Sequence, residues 1–473
     1  MKRSGVALIA LALSITSATT QAESLRDIYE LALENDAQLK AEQAQYLAAM
    51  ESEKLGLSRL LPQINANYDY TDTDQDTEAN SLDFDGNLGT IDTFTNVDVD
   101  REGYQISLNQ AIFDLPAWFS FQSGKELSKQ AEATFTGNQQ NLIVRVVEAY
   151  LLVLRAQDNL SASSAQERAF ERQLEQTQQR FEVGLIAITD VYEAQAARDL
   201  SQVERIVDEN NVSVALERLS VLTGQGHSNL DVLQEDFEIK MPDPLDRAAW
   251  VDFAMENNFS LLASRYAEEA ARQNAKANKM VHAPTVSGSY AYSDYSTDGD
   301  LTRSPTTGFD VPPDNDVELN TWQVRLDLPL YSGGAISSNR RRAAQDFNAS
   351  RENRINLSRN VVTNTRSLHM TVISDVSRVA ARKQSIVSSR SALDATQAGY
   401  EVGTRNVVDV LNAQNTLFSA ERDYANTRYD YILDILRLKE QAGLLSPEDV
   451  NNLDDYLETP PPPTAATATT ATK

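Results

Sequence analysis

Arg180-Phe181-Glu182-Val183-Gly184-Leu185-Ile186-Ala187-Ile188-Thr189-Asp190-Val191-Tyr192-Glu193-Ala194-Gln195 returns later in the chain as Gly399-Tyr400-Glu401-Val402-Gly403-Thr404-Arg405-Asn406-Val407-Val408-Asp409-Val410-Leu411-Asn412-Ala413-Gln414. The two central glycines stand 403 − 184 = 219 residues apart. Other matches keep nearly the same offset. Pro62-Gln63-Ile64 and Tyr68-Asp69-Tyr70 answer to Pro284-Thr285-Val286 and Tyr290-Ala291-Tyr292, and Glu34-Asn35-Asp36 answers to Glu256-Asn257-Asn258. A constant register of this kind is the mark of a duplicated half-chain, so two copies of one architectural unit are expected. They occupy residues 23–224 and 244–445, with a Gly- and Pro-marked linker at 225–243 and a tail at 446–473.

Each duplicated motif sits between long runs with few breakers. Residues 114–184 hold only Pro116, Gly124 and Gly137 before the motif glycine, and a helix of about 70 residues would be about 100 Å long. Phe170, Leu174, Thr177 and Phe181 are spaced 4, 3, 4, as are Ser389, Leu393, Thr396 and Tyr400. That is the seam of a coiled coil, and each copy is read as a helical hairpin that turns at Gly184 or Gly403. Segments 23–60 and 244–280 are read as further amphipathic helices.

Strands supply the other half of the unit. Residues 64–70, 104–113, 286–292 and 322–331 alternate apolar with polar and are rich in aromatic and β-branched side chains, long enough to cross a bilayer as tilted strands of about 9–11 residues. Polar loops are expected at 71–102, dense in Asp, and at 294–320. Four strands cannot close a barrel, because single-chain barrels begin at about eight, so several chains must contribute. The competing reading has two soluble hairpins packed on a coiled-coil body.

Composition narrows the class. Lys2 and Arg3, an apolar run at 6–13 and small residues ending at Ala22 form a signal peptide over 1–22, and no later stretch reaches the roughly 18 apolar residues of a spanning helix. The chain has no cysteine, hence neither disulfides nor a lipidation site. Removing Lys2 and Arg3 takes the formal charge from −27 to −27 − 2 = −29, which argues against nucleic acid or anionic lipid headgroups as partners. Aromatic content of 7% suits elongated helices better than a single globule. The Pro- and Ala/Thr-rich tail lacks material for a core.

Catalytic chemistry leaves little trace. His227, His282 and His369 are far apart and lack metal-ligand spacing, and Ser163-Ser164 and Ser388-Ser389 have no adjacent base. No phosphate-cradling loop is present, and no cofactor is expected. The acidic segment at 71–76 is read as a solvated loop in preference to a cation site. The hairpin turns differ from one another instead. Thr189 and Asp190 follow the first glycine, whereas Arg405 and Asp409 follow the second, so a cation on one turn faces acceptors on the other if the two lie side by side. The alternative role for Thr189 and Asp190 is helix capping.

These tip motifs, with Leu60-Leu61-Pro62-Gln63 entering the first strand and Leu330-Tyr331-Ser332-Gly333-Gly334 leaving the last, resemble the TolC family of outer-membrane efflux proteins over nearly the whole mature length. The resemblance implies a mainly α chain with a membrane β-barrel: a homotrimer with four strands per chain in a 12-stranded outer-membrane barrel. That barrel would continue into a periplasmic α-helical coiled-coil barrel of a Gram-negative cell. It further implies a periplasmic membrane-fusion adaptor docking at Val183, Gly184, Leu185, Val402, Gly403 and Thr404, and an inner-membrane pump of RND, ABC or MFS type. The gate it implies comprises Gln179, Thr189, Asp190, Tyr400, Arg405, Asp409 and Asn412: Tyr400 bonding near Gln179 and Asp190, Arg405 reaching Thr189 and Asp190 of a neighbouring subunit, and Asp409 projecting into the lumen. In the family's best-known member an Asp stands where this chain has Asn412, which halves the carboxylates of that ring. The function so implied is efflux or type I secretion of small molecules or polypeptides through a duct seated in outer-membrane lipid. A periplasmic or surface coiled-coil protein without a pore is the alternative.

Overall fold

A computed structural model of the chain describes residues 23–83, 89–305 and 313–460. The signal peptide and the tail beyond residue 460 lie outside these residues. Helices α1 (Leu25–Asn35) and α2 (Ala37–Ser58) lead into strands β1 (Gln63–Asp83) and β2 (Gly89–Phe113), followed by α3 (Leu115–Glu182) and α4 (Ile188–Thr223). After a short β3 (Val232–Leu233) the same order recurs in α5 (Arg247–Asn257), α6 (Phe259–Met280), β4 (Thr285–Ser304), β5 (Asn315–Asp327), α7 (Ala335–Glu401) and α8 (Val407–Gln441). Helix α9 (Pro447–Asp454) and β6 (Leu457–Glu458) close the described chain. At 68 and 67 residues, α3 and α7 are each about 100 Å long. Pro116 does not interrupt α3, because it stands in the first turn, where its missing N–H costs nothing. No helix among the described residues is long and apolar enough to cross a membrane.

The chain divides into two compact units, each built from both repeats. One unit, residues 46–133 and 263–356, holds an antiparallel sheet in the order β1-β2-β4-β5. β2 of the first repeat pairs directly with β4 of the second, Tyr104 opposite Asp294 and Leu108 opposite Tyr290. The strands are 21, 25, 20 and 13 residues long and absorb most of the polar segments at 71–102 and 294–320. The expectation of long loops there is corrected: Asp is disfavoured in isolated strands, but alternation with Thr and Val carries the pairing outward to Asp83 opposite Gly89.

The other unit, residues 23–45, 134–262 and 357–460 among those described, holds the main apolar core. Leu142, Val146, Tyr150 and Leu154 on α3 pack with Leu25 and Ile28 on α1, Leu219 on α4, and Ile432 and Leu438 on α8. Tyr150 Oη donates to the Asp231 carbonyl at 2.8 Å, and Tyr431 Oη to the Lys240 carbonyl at 2.7 Å, which fixes the linker. β3 and β6 form a two-stranded antiparallel sheet, so residues 446–458 of the tail are built into the fold.

The duplicated breaks between paired helices use one device with different partners. Asp36 Oδ2 accepts from the Leu39 amide at 3.1 Å, and Asn258 Oδ1 from the Leu261 amide at 2.9 Å. Asp36 then takes a charge-assisted bond from Arg145 at 2.7 Å, whereas Asn258 donates to the Gln441 carbonyl at 3.0 Å. Burial pushes the Asp36 carboxyl up, but the bonds from Arg145 and Leu39 outweigh it, and its pKa is lowered. A depressed carboxyl contributes stability that is present above its unfolded pKa of about 4 and is lost as pH falls through the folded value. Arg145→Ala is expected to cost about 3 kcal/mol by leaving a buried carboxylate unpaired. Asp36→Asn is expected to remove this part of the acid destabilisation, both read from denaturant unfolding at several pH values.

Candidate functional site at the hairpin tips

Both hairpins end α3 and α7 in the same backbone motif. Gly184 N donates to the Phe181 carbonyl at 2.8 Å and Leu185 N to the Arg180 carbonyl at 2.9 Å. In the second copy Gly403 N donates to Tyr400 at 3.1 Å and Thr404 N to Gly399 at 2.8 Å. This pair of bonds is a Schellman turn, which requires a left-handed residue, and each glycine has φ 78°. The turns push apolar side chains outward: Val183, Leu185 and Val402 are 70, 68 and 75% exposed.

The copies diverge where the next helix begins. α8 carries a reciprocal capping box, with Asn406 Oδ1 accepting from the Asp409 amide at 2.8 Å and Asp409 Oδ2 from the Asn406 amide at 3.4 Å. α4 starts after Ala187, which has no side chain able to cap. Thr189 and Asp190 therefore stand inside the first turn without capping it, and Thr189 Oγ1 donates to Asp190 Oδ1 at 3.4 Å. Arg405 turns toward its own Asp409 at 3.7 Å. Thr189, Gln179 and Asn412 are exposed, and Asp190 is half-buried. Within one chain Arg405 and Asp190 do not form an ion pair among those described.

Tyr400 is the buried member of the group. It lies in a small cluster with Phe170, Val407, Val410 and Leu411. The Arg180 guanidinium stacks over its ring at 4.6 Å, a cation–π contact between the first hairpin and the second that spacing alone did not reveal. Its hydroxyl is buried without a hydrogen-bond partner. A buried orphan hydroxyl is costly.

One side-chain arrangement is not legible from spacing, because Glu23 and His227 are 204 residues apart. Thr223 Oγ1 lies 2.6 Å from His227 Nε2, and His227 Nδ1 lies 2.5 Å from Glu23 Oε2. Thr223 is 1% exposed and so presents no surface to a substrate, and the trio ties Glu23 to the linker. No cluster of three metal-ligating side chains occurs among the described residues.

A family model described as "Outer membrane efflux protein" matches residues 28–225 and 250–444, one segment per repeat. The chain belongs to this family. It is 36% identical to the outer membrane protein TolC of Vibrio cholerae over 462 residues, covering 97% of this chain and 99% of the relative. It is 28% identical to the alkaline protease secretion protein AprF of Pseudomonas aeruginosa, covering 90% of this chain and 85% of that relative. The fold is also that of the Campylobacter jejuni CmeC outer membrane channel, with a TM-score of 0.72 at 14% identity over 97% of this chain and 98% of that one. As a member of this family the chain is an outer-membrane efflux protein. The alternative of a coiled-coil protein without a pore is set aside by this membership. Within the family's tip motif, Gly403→Ala is expected to cost about 1–2 kcal/mol through the left-handed backbone alone. An added Cβ there meets nothing within 4 Å. Amide exchange is expected to quicken at residues 399–406 and not in the core.

Proposed function

We propose that three copies of this chain pool their sheets into one 12-stranded barrel and their hairpins into one tunnel, which an adaptor opens at the periplasmic tips. The observation that carries this reading is the sheet itself. β1 and β5 are edges among the described residues, and four strands are too few to close. An open edge cannot face hydrocarbon, because its backbone donors and acceptors would go unsatisfied. Neighbouring copies meeting edge to edge satisfy them.

The helices carry a second unfinished surface. Leu200, Val203, Val207, Val214 and Val221 on α4 are 43–75% exposed and spaced 3, 4, 7 and 7, the seam of a coiled coil without its second strand. A neighbouring protomer supplies that strand. At the tips, the same assembly sets Arg405 of one subunit near Thr189 and Asp190 of the next and offers the orphan Tyr400 hydroxyl a partner. Arg405 then exchanges its own Asp409 for a neighbour's carboxylate. Asp409, held by its capping box and close to Arg405, contributes a partly compensated charge to the lumen, and Asn412 contributes none.

Val183, Leu185 and Val402 form the apolar knobs that the periplasmic adaptor engages, with Gly184, Gly403 and Thr404 giving the turns their shape. Energy comes from an inner-membrane pump of RND, ABC or MFS type, the cargo is small molecules or polypeptides, and the channel performs no catalysis. The test is electrical. Purified Arg405→Ser/Tyr400→Phe protein in planar bilayers is expected to conduct more than wild type, and an unchanged current from folded trimers would overturn the closing role of the Arg405 and Tyr400 links. Asp409→Asn is expected to lower cation selectivity, and identical reversal potentials before and after would place that carboxylate away from the conduction path.

A further inference from the structure

Up to the register shift between Ala111 and Phe113 at the end of β2, the sheet register assigns the even-numbered residues of β1, β2, β4 and β5 to one face, since Tyr68 pairs with Tyr104, Tyr104 with Asp294 and Asp294 with Glu318. Along the strands that face passes through three tiers. The first is apolar: Ile64, Ile106, Leu108, Val286, Val324 and Leu326. The second is aromatic, with Tyr104 and Tyr292 ring centroids 6.0 Å apart and Tyr290 and Trp322 4.4 Å apart. Its hydroxyls point to the third tier: Tyr68 donates to Glu102 at 2.8 Å, Tyr70 to Asp100 at 2.7 Å, Tyr104 to Asp294 at 3.1 Å and Tyr292 to Glu318 at 3.0 Å. The third tier is acidic, with Asp72, Asp100 and Asp298 in one row and Asp74, Asp98 and Asp300 in the next.

The other face has the opposite character. Beside the apolar tier it carries Asn65, Asn67, Gln105, Ser107, Ser289 and Gln323. Beside the acidic tier it carries Thr71, Thr73, Val97, Val99, Leu301 and Leu319, with Arg101 stacked over Tyr295 at 4.3 Å. Within residues 70–80, 90–102, 294–304 and 315–320, every carboxylate is on the even face. In β2 and β4 the even carboxylates Asp98, Asp100, Asp298 and Asp300 are exposed, while Val97, Val99, Thr297 and Leu301 between them are half-buried.

We propose that outer-membrane lipid covers the even face only up to the tyrosine tier, and that the carboxylates beyond it form a collar on the outer wall of the barrel, leaving the conduit wall there without carboxylates. This rests on the barrel reading and specifies its contact with lipid. The apolar tier can meet only acyl chains, which makes the even face the outside. Aromatic rings with hydroxyls turned to carboxylates fit the boundary between hydrocarbon and headgroups. Charged side chains are poorly tolerated on a lipid-facing surface, so the bilayer ends where the acidic rows begin. Crossing takes about 9–11 residues, whereas β1 and β2 have 21 and 25. The excess projects beyond the membrane, and the chain's acidity there does not line the export path.

The chain has no cysteine, so single-cysteine labels are unique. In liposomes containing spin-labelled lipid, a fluorophore on Val324→Cys is expected to lose most of its emission. Labels on Gln323→Cys and Asp298→Cys are expected to keep theirs and to be quenched by water-soluble iodide. Quenching of Gln323→Cys by lipid in place of Val324→Cys would reverse the faces, and lipid quenching of Asp298→Cys would carry the bilayer past the tyrosines; either overturns the proposal. The Asp72→Asn/Asp100→Asn/Asp298→Asn triple variant is expected to leave the reversal potential of the open channel unchanged, and a loss of cation selectivity would place the collar inside. Wild-type protein that inserts but never conducts would strike the channel reading, while the label pattern still decides the lipid contact.

Discussion

The constraint on which the rest depends is backbone satisfaction at the two edges of a four-stranded sheet. Each edge strand presents a row of N–H and C=O groups with no strand partner among the described residues. Water would satisfy them, but hydrocarbon does not, and leaving each one bare costs several kcal/mol. A chain that places this sheet in the outer membrane cannot be complete as a monomer. The exposed seam on α4 repeats the point in water, where the cost is apolar exposure in place of unsatisfied hydrogen bonds.

Much of this was legible in the residues. The long helices, their turns at Gly184 and Gly403, and the strand pairs followed from breaker spacing and from alternation, and the repeat supplied each argument twice. Strand length was not legible. Residues 71–102 are rich in Asp and read as loop, because local propensity weighs the isolated residue, whereas pairing of β1 with β2 over their whole length is decided by the neighbour. The tip site was legible only as a set of residue types. Nothing in spacing sets Arg180 over Tyr400, because that contact joins residues on different hairpins. The pairing of His227 with Glu23 escaped because 204 residues separate them.

Duplication followed by divergence explains how two matching hairpins acquire different tips. The glycine turns are superposable in their hydrogen bonds, so neither copy could change there without losing its helix stop. The next helix start is freer. One copy kept Asn406 and Asp409 as a mutual cap, which secures α8 without outside help, while Ala187 leaves the α4 start uncapped and Thr189 and Asp190 available. The same division is seen at the helix breaks, where Asp36 recruits a charged partner and Asn258 a neutral one.

The acidic rows raise a different question, since like charges directly opposite on neighbouring strands are destabilising by up to about 1 kcal/mol each. Asp72, Asp100 and Asp298 nonetheless share one row. Two features reduce the cost: the side chains are exposed to solvent, which screens them, and tyrosine hydroxyls and Asn96 donate to the nearest carboxylates. The opposite face beside these rows lacks carboxylates and offers Thr, Val and Leu. A one-residue slip in register would exchange the faces of a strand, turning its carboxylates toward the conduit and its apolar residues away from lipid. Charge that weakens each pairing thereby selects a single pairing, and the cost in stability is returned as a unique register.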